Sequence, residues 1–153
     1  MLIDKQNQFS ADAGDSPAAI GSTDSTNIVD LGTTRDIGDG ATPHNLFLSA
    51  QVATAFTSGG SATLQVQGAV APDNGSGAPG AWTVLEQSRA VPVASLVQGF
   101  AFLKGALPTA DVAYRFLKLT YVIGTAAMTA GTIKAAFVPS LDVQFTYARG
   151  YAA

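Results

Sequence analysis

Residues 114–138, YRFLKLTYVIGTAAMTAGTIKAAFV, alternate side-chain character with a period of two, which a pleated strand satisfies and an amphipathic helix does not. Leu117, Leu119, Tyr121 and Ile123 fall on one face, and Phe116, Lys118, Thr120 and Val122 on the other. Small residues from Gly124 to Gly131 interrupt the pattern, and Ile133, Ala135 and Phe137 then resume it against Lys134 and Ala136. This predicts a hairpin of two strands joined by a small-residue loop. One face should pack inward, leaving Lys118 and Lys134 on a wet face.

The same period recurs along the chain, and nowhere does a 3.6-residue apolar period persist over ten residues. A first strand is predicted over residues 26–31. In residues 45–53, Leu46, Leu48, Ala50 and Val52 oppose Phe47, Ser49 and Gln51. In residues 61–70, Ala62, Leu64, Val66 and Val70 oppose Thr63, Gln65 and Gln67, so these two segments predict a second hairpin. Residues 82–87, 91–97 (interrupted by Pro92) and 100–104 add short strands. In residues 141–147, Leu141, Val143, Phe145 and Tyr147 read as a last strand. Eight or nine short strands separated by turn signals predict an all-β protein, an antiparallel β-sandwich of the jelly-roll kind.

The organisation expected is an extended N-terminal arm over residues 1–25, a sandwich over 26–147 and a loose tail over 148–153. At 153 residues the chain is about one domain. Charged residues make up only 12%, about half the usual share, so the surface must be built from small and neutral polar groups. Such a surface desolvates at low cost and suits protein contact, as it also suits any Ala- and Gly-rich β-protein. Residues 1–40 hold seven Asp against Lys5 and Arg35, whereas the remainder is faintly basic. That asymmetry could draw neighbouring copies together, or mark a solvated acidic arm.

Several chemistries find no support in the residues. There is no cysteine for a disulfide or a thiolate metal site, and His44 alone cannot build an imidazole metal site or a Ser–His–Asp triad. The net charge of −3 argues against nucleic acid as a partner. No run is long enough to span a membrane, and MLIDKQNQFS lacks the pattern of a signal peptide. Gly75, Gly77 and Gly80 match GxGxxG, but Pro79 lies inside the match and a strand follows it, so no cofactor is expected. Asp36, Gly38, Asp39 and Gly40 read as a turn rather than a calcium loop, which would close on a glutamate. Trp82 is expected in the core, and no enzyme is expected.

Asn27-Ile-Val-Asp-Leu-Gly32 with Arg35-Asp-Ile-Gly38, then Thr57-Ser-Gly-Gly-Ser-Ala-Thr63, then Arg115-Phe-Leu-Lys-Leu-Thr-Tyr121 with Gly124-Thr-Ala126 and Thr129-Ala-Gly131 occur in order behind Met1-Leu-Ile-Asp4. Together they resemble the capsid cement, or decoration, proteins of tailed bacteriophages, of the kind found on a short-tailed Bordetella phage. The resemblance implies a jelly-roll protein on the outer surface of an icosahedral head. Its partner would be a major capsid protein of the HK97-like fold, and it would sit there as a homodimer or other homo-oligomer. The 71–81 loop and the 145–153 tail depart from that pattern.

A cement needs anchors on segments that can reach neighbours. Leu2, Ile3 and Phe9, with Lys5 among them, are the arm's candidates, and Arg35 and Asp36 could add a polar contact. Phe145, Tyr147 and Tyr151 would anchor the tail, unless Phe145 and Tyr147 complete the last core strand. The alternatives are a carbohydrate-binding module, which would need an aromatic platform such as Trp82, and a low-copy fibre-base or neck protein of the virion.

Overall fold

The computed structural model describes residues 8–35, 47–106 and 114–138. Over these residues the chain forms two antiparallel sheets, as the alternation predicts. The strands in chain order are β1 (Gly21–Asp24), β2 (Val29–Arg35), β3 (Phe47–Ser58), β4 (Thr63–Ala71), β5 (Thr83–Gln87), β6 (Val91–Pro92), β7 (Ala101–Ala106), β8 (Tyr114–Gly124) and β9 (Met128–Val138). The wider sheet runs β1-β8-β4-β5, with β2 continuing β1's side of β8 and β6 continuing β5's side of β4. The narrower sheet runs β7-β3-β9.

Inward faces follow the sequence alternation. Leu64, Val66, Leu119, Tyr121 and Ile123 of the wide sheet meet Leu48, Ala50, Val52, Ile133, Ala135 and Phe137 of the narrow one in a single apolar cluster. Each large apolar side chain fully buried there contributes about 1.5–3 kcal/mol.

Both predicted hairpins are corrected. β3 pairs with β9, from Phe47↔Val138 to Ser58↔Met128, and β4 pairs with β8, from Thr63↔Gly124 to Ala71↔Phe116. Neither β3 and β4 nor β8 and β9 are neighbours in a sheet. Each pair is instead an arch whose connection crosses from one sheet to the other. The two crossings lie against each other, where the Ser58 hydroxyl donates to the Ala127 carbonyl at 2.6 Å. Alternation specifies which face is buried. It does not say whether a following strand lies beside its predecessor or across the core from it.

The small-residue loop is also shorter than expected, because β9 begins at Met128 and Gly131 lies within it. Gly131 has φ +125°, and a Cβ there would fall 2.3 Å from the Phe56 ring. It is a packing glycine inside a strand rather than a turn residue.

Residues 8–25, expected in the arm, are docked on the sandwich. Gln8 bridges Ala136, Asp15 bridges Ile133, and β1 then pairs with β8 from Gly21↔Ile123 to Asp24↔Thr120. This segment therefore runs from the narrow sheet to the wide one and closes one side of the sandwich. The first strand, expected over 26–31, is displaced to Val29–Arg35. The last strand, expected over 141–147, lies outside the described residues.

Candidate contact surface

The charged side chains of the wide sheet's outer face are organised around β8. Arg115 donates from Nε and Nη2 to Asp30 of β2 at 2.7 and 2.8 Å, and from Nη1 to Asp73 in the loop after β4. Lys118 donates from Nζ to Asp24 of β1 at 2.7 Å, and Thr120 donates to the other oxygen of Asp24 at 2.9 Å. The Lys118 ammonium also sits 4.6 Å from the centre of the Trp82 ring, a cation–π contact. Lys118 is thus not on a wet face: its side chain is only 13% exposed. Lys134 is exposed, as expected. Trp82 is half-buried on this outer face and lies outside the core cluster, so its expected place in the core is corrected.

These contacts hold the three carboxylates below their usual range for different reasons. For Asp24, burial alone would raise the value, but the bonds from Lys118 and Thr120 outweigh it. Asp30 is lowered by the Arg115 guanidinium and then by the Gly32 amide. Asp73 is lowered by the amides of Gly75 and Gly77 and then by Arg115. Depressed values mean that the ties are fully made above the ordinary 3.8 and are lost only as pH falls through the folded-state values below it.

The loop between β4 and β5 is built inward on the same residues. One Asp73 oxygen accepts from the Gly75 and Gly77 amides at 2.8 and 3.0 Å, while Asn74 and Pro72 close further backbone bonds with Ala78 and Gly80. The glycine amides that would cradle a phosphate in a GxGxxG turn are here turned onto the chain's own carboxylate. Arg115→Ala is expected to loosen this loop, because Asp73 then loses the charge that fixes its free oxygen. Faster hydrogen–deuterium exchange over residues 72–80 would show it, whereas unchanged exchange would mean that Asp73 holds the loop without Arg115.

A second polar centre lies inside. Buried Asp15 accepts from the amides of Ala11 and Thr26 at 3.0 and 3.2 Å, from the Thr26 hydroxyl, and from the Tyr121 hydroxyl at 2.8 Å. Burial, followed by the Asp15 charge and hydrogen bond, raises the Tyr121 phenol well above its usual value, so it stays a donor. Around this centre the Phe9 amide donates to the Ala135 carbonyl, and the Phe9 carbonyl accepts from Asn27. The node therefore joins residues 8–27 to both sheets.

Of the expected anchors, only Phe9 and Arg35 lie among the described residues. Phe9 is buried in the chain's own core, edge-on to Phe137 with ring centres 4.8 Å apart, and is not free to reach a partner from there. Arg35 ends β2 opposite Tyr114. Leu2, Ile3, Lys5, Asp36, Phe145, Tyr147 and Tyr151 lie outside the described residues, as does His44. Of the described large apolar side chains, Ile20, Ile28, Val84 and Val97 are about half exposed or more.

The sequence reading missed the Arg115 and Lys118 ties, although their signal was present. Two cations on one alternating strand and an Asp-rich leading segment are complementary, and the fold joins Asp24 and Asp30 to them within one chain. Residues 13–137 match the model of the Bbp16 family, a family of Bordetella phage protein. Comparison with curated proteins gives no match.

Proposed function

Because the chain belongs to the Bbp16 family, we propose that this phage-associated protein is a structural component of the virion, a cement on the outer surface of an icosahedral head. It would bind the major capsid protein, of HK97-like fold, and tie neighbouring subunits together against internal DNA pressure, itself acting as a homodimer or other homo-oligomer. The observation that carries this reading is the family match over residues 13–137, which spans nearly the whole described sandwich. The geometry suits the role. Arg115 and Lys118 are engaged within the chain, so the outer face can meet another protein without stripping water from free cations. A rigid two-sheet body would also hold contacts at its loops and ends at fixed separations.

The contacts we assign are Leu2, Ile3 and Lys5 at the N-terminus, Arg35 and Asp36 beyond β2, and Phe145, Tyr147 and Tyr151 at the C-terminus. Phe9 is withdrawn from the set because it is part of the core. A deletion that tests these anchors must therefore stop short of Phe9. Removing residues 1–7 is expected to leave thermal unfolding unchanged and to weaken binding to isolated heads by about tenfold or more, as for loss of one arm of a multivalent contact. Cosedimentation with heads lacking the protein measures it, and full-strength binding by the truncated chain would rule out those anchors. A cryo-EM map of decorated heads tests the wider reading. Hundreds of copies over the shell support a cement, whereas about a dozen at one vertex would make it a neck or fibre-base protein. Failure of the full chain to bind heads, with glycan binding that is lost in Trp82→Ala, would replace both with a carbohydrate-binding module.

A further inference from the structure

Asn74-Gly75 is the chain's only Asn-Gly pair. Such a pair carries a chemistry directed at itself, because glycine has no side chain to keep its amide nitrogen away from the neighbouring carboxamide. The Gly75 nitrogen gives up its proton and bonds to Cγ of Asn74, the Cγ–Nδ2 bond breaks, and the amide leaves as ammonia. Water then opens the succinimide ring at either carbonyl, leaving aspartate or isoaspartate at position 74. The pair lies in the loop between β4 and β5, and both of its residues are exposed.

Ring closure needs a free Gly75 nitrogen and a carboxamide able to turn onto it. The loop supplies neither. The Gly75 amide donates to Oδ1 of Asp73 at 2.8 Å, and the same oxygen accepts from the Gly77 amide at 3.0 Å. A carboxylate so close opposes the negative charge that the nitrogen must take on. The two amides and Arg115 lower the Asp73 carboxyl, so it keeps its charge and is a poor base for the Gly75 proton. Oδ1 of Asn74 accepts from the Ser76 amide and hydroxyl at 2.9 and 2.7 Å, which fixes the carboxamide. The Asn74 amide donates to the Ala78 carbonyl at 2.9 Å, which fixes the backbone beside it. The other Asp73 oxygen accepts from Nη1 of Arg115, a β8 side chain shared with Asp30.

We propose that Asn74 is a latent deamidation site and that Asp73, held by Arg115, keeps it closed. The reaction then requires the loop to open first, and its rate falls by the opening equilibrium. Gly75 and Gly77 take φ of +90° and +80°, a conformation that favours glycine, and so aim both amides at Asp73. The reactive pair comes with that turn. What the guard preserves is the loop. Deamidation would put a second carboxylate beside Asp73. Isoaspartate would also lengthen the backbone by one atom where the Asn74 and Gly80 amides close the loop on the Ala78 and Pro72 carbonyls.

The test is the rate of deamidation at position 74 in the full chain, at mildly alkaline pH and below the unfolding transition. Intact mass and isoaspartate in the proteolytic fragment carrying residue 74 measure it. A synthetic, end-capped peptide of residues 71–81 gives the rate of the unguarded pair. The folded protein is expected to react about tenfold or more slowly than that peptide, as a closed loop requires. Asp73→Ala, which removes the acceptor of both glycine amides, should bring the rate most of the way to the peptide's. Arg115→Ala should bring it part of the way, because Asp73 still holds the amides. Circular dichroism confirms that each variant is folded, and the comparison of wild type with peptide decides even where one is not. A folded wild-type protein that deamidates at the peptide's rate or faster would overturn the proposal. So would a folded Asp73→Ala protein as slow as wild type, because the protection would then not come from Asp73.

Discussion

Gly131→Ala is expected to destabilise the protein by on the order of 4 kcal/mol. Two costs combine: a positive φ that L residues adopt at about 1–2 kcal/mol, and overpacking of a filled core at about 1–3 kcal/mol. The packing cost lies toward its upper end here, because the new Cβ would sit 2.3 Å from two ring carbons of Phe56 and 2.7 Å from its Cα. Phe56 belongs to β3, the partner strand of β9, so neither the ring nor the backbone can retreat without opening the β3–β9 ladder. Gly21→Ala is the control: it also has a positive φ, +112°, but nothing lies within 4 Å of the added carbon. Urea unfolding of both variants separates conformational strain from steric overlap. If Gly131→Ala is no less stable than Gly21→Ala, the contact with Phe56 is not what requires glycine.

Phe9→Ala should cost about 3–5 kcal/mol, the usual range for removing a buried phenylalanine. Phe9 is 1% exposed, packs on Phe137, and has both backbone groups bonded, to Ala135 and to Asn27. It is thus the apolar pin of the segment whose polar pin is Asp15. A residue that served only as a partner anchor would give no change in unfolding, so an unchanged midpoint would contradict its place in the core. Phe9→Leu should recover most of the loss, since it refills much of the volume. The contrast with removal of residues 1–7, which is expected to spare the fold, separates the residues proposed for binding from Phe9, which is placed in the core.

The pH behaviour combines two opposite linkages. Asp24, Asp30 and Asp73 stabilise the fold at neutral pH and withdraw that support only in acid, whereas ionised Glu86 opposes the fold at neutral pH and relents as pH falls. The two act on opposite faces of the wide sheet. The first holds β1, β2 and the 72–80 loop to β8, and the second sits under β5.

The division between what the chain's residues announce and what folding adds is clearest at β8. Its alternation alone placed Leu119, Tyr121 and Ile123 inside, and the same period assigned Leu48, Leu64, Val66 and Ile133 correctly, because strand geometry sends successive side chains to opposite faces wherever the strand lies. An all-β sandwich was therefore legible residue by residue, and the ordered motifs carried the phage resemblance. Partner strands were not legible: β3 joins β9 and β4 joins β8 across long separations, and a period of two is satisfied equally by a hairpin and by an arch. The roles of Gly131, Asp15 and Arg115 were hidden for the same reason, since each depends on Phe56, Tyr121 or Asp30, residues distant in sequence. Which side of each strand faces the core is local stereochemistry, and the residue pattern is enough to assign it. Which residues that core brings together depends on long-range contacts, and these emerge from the fold alone.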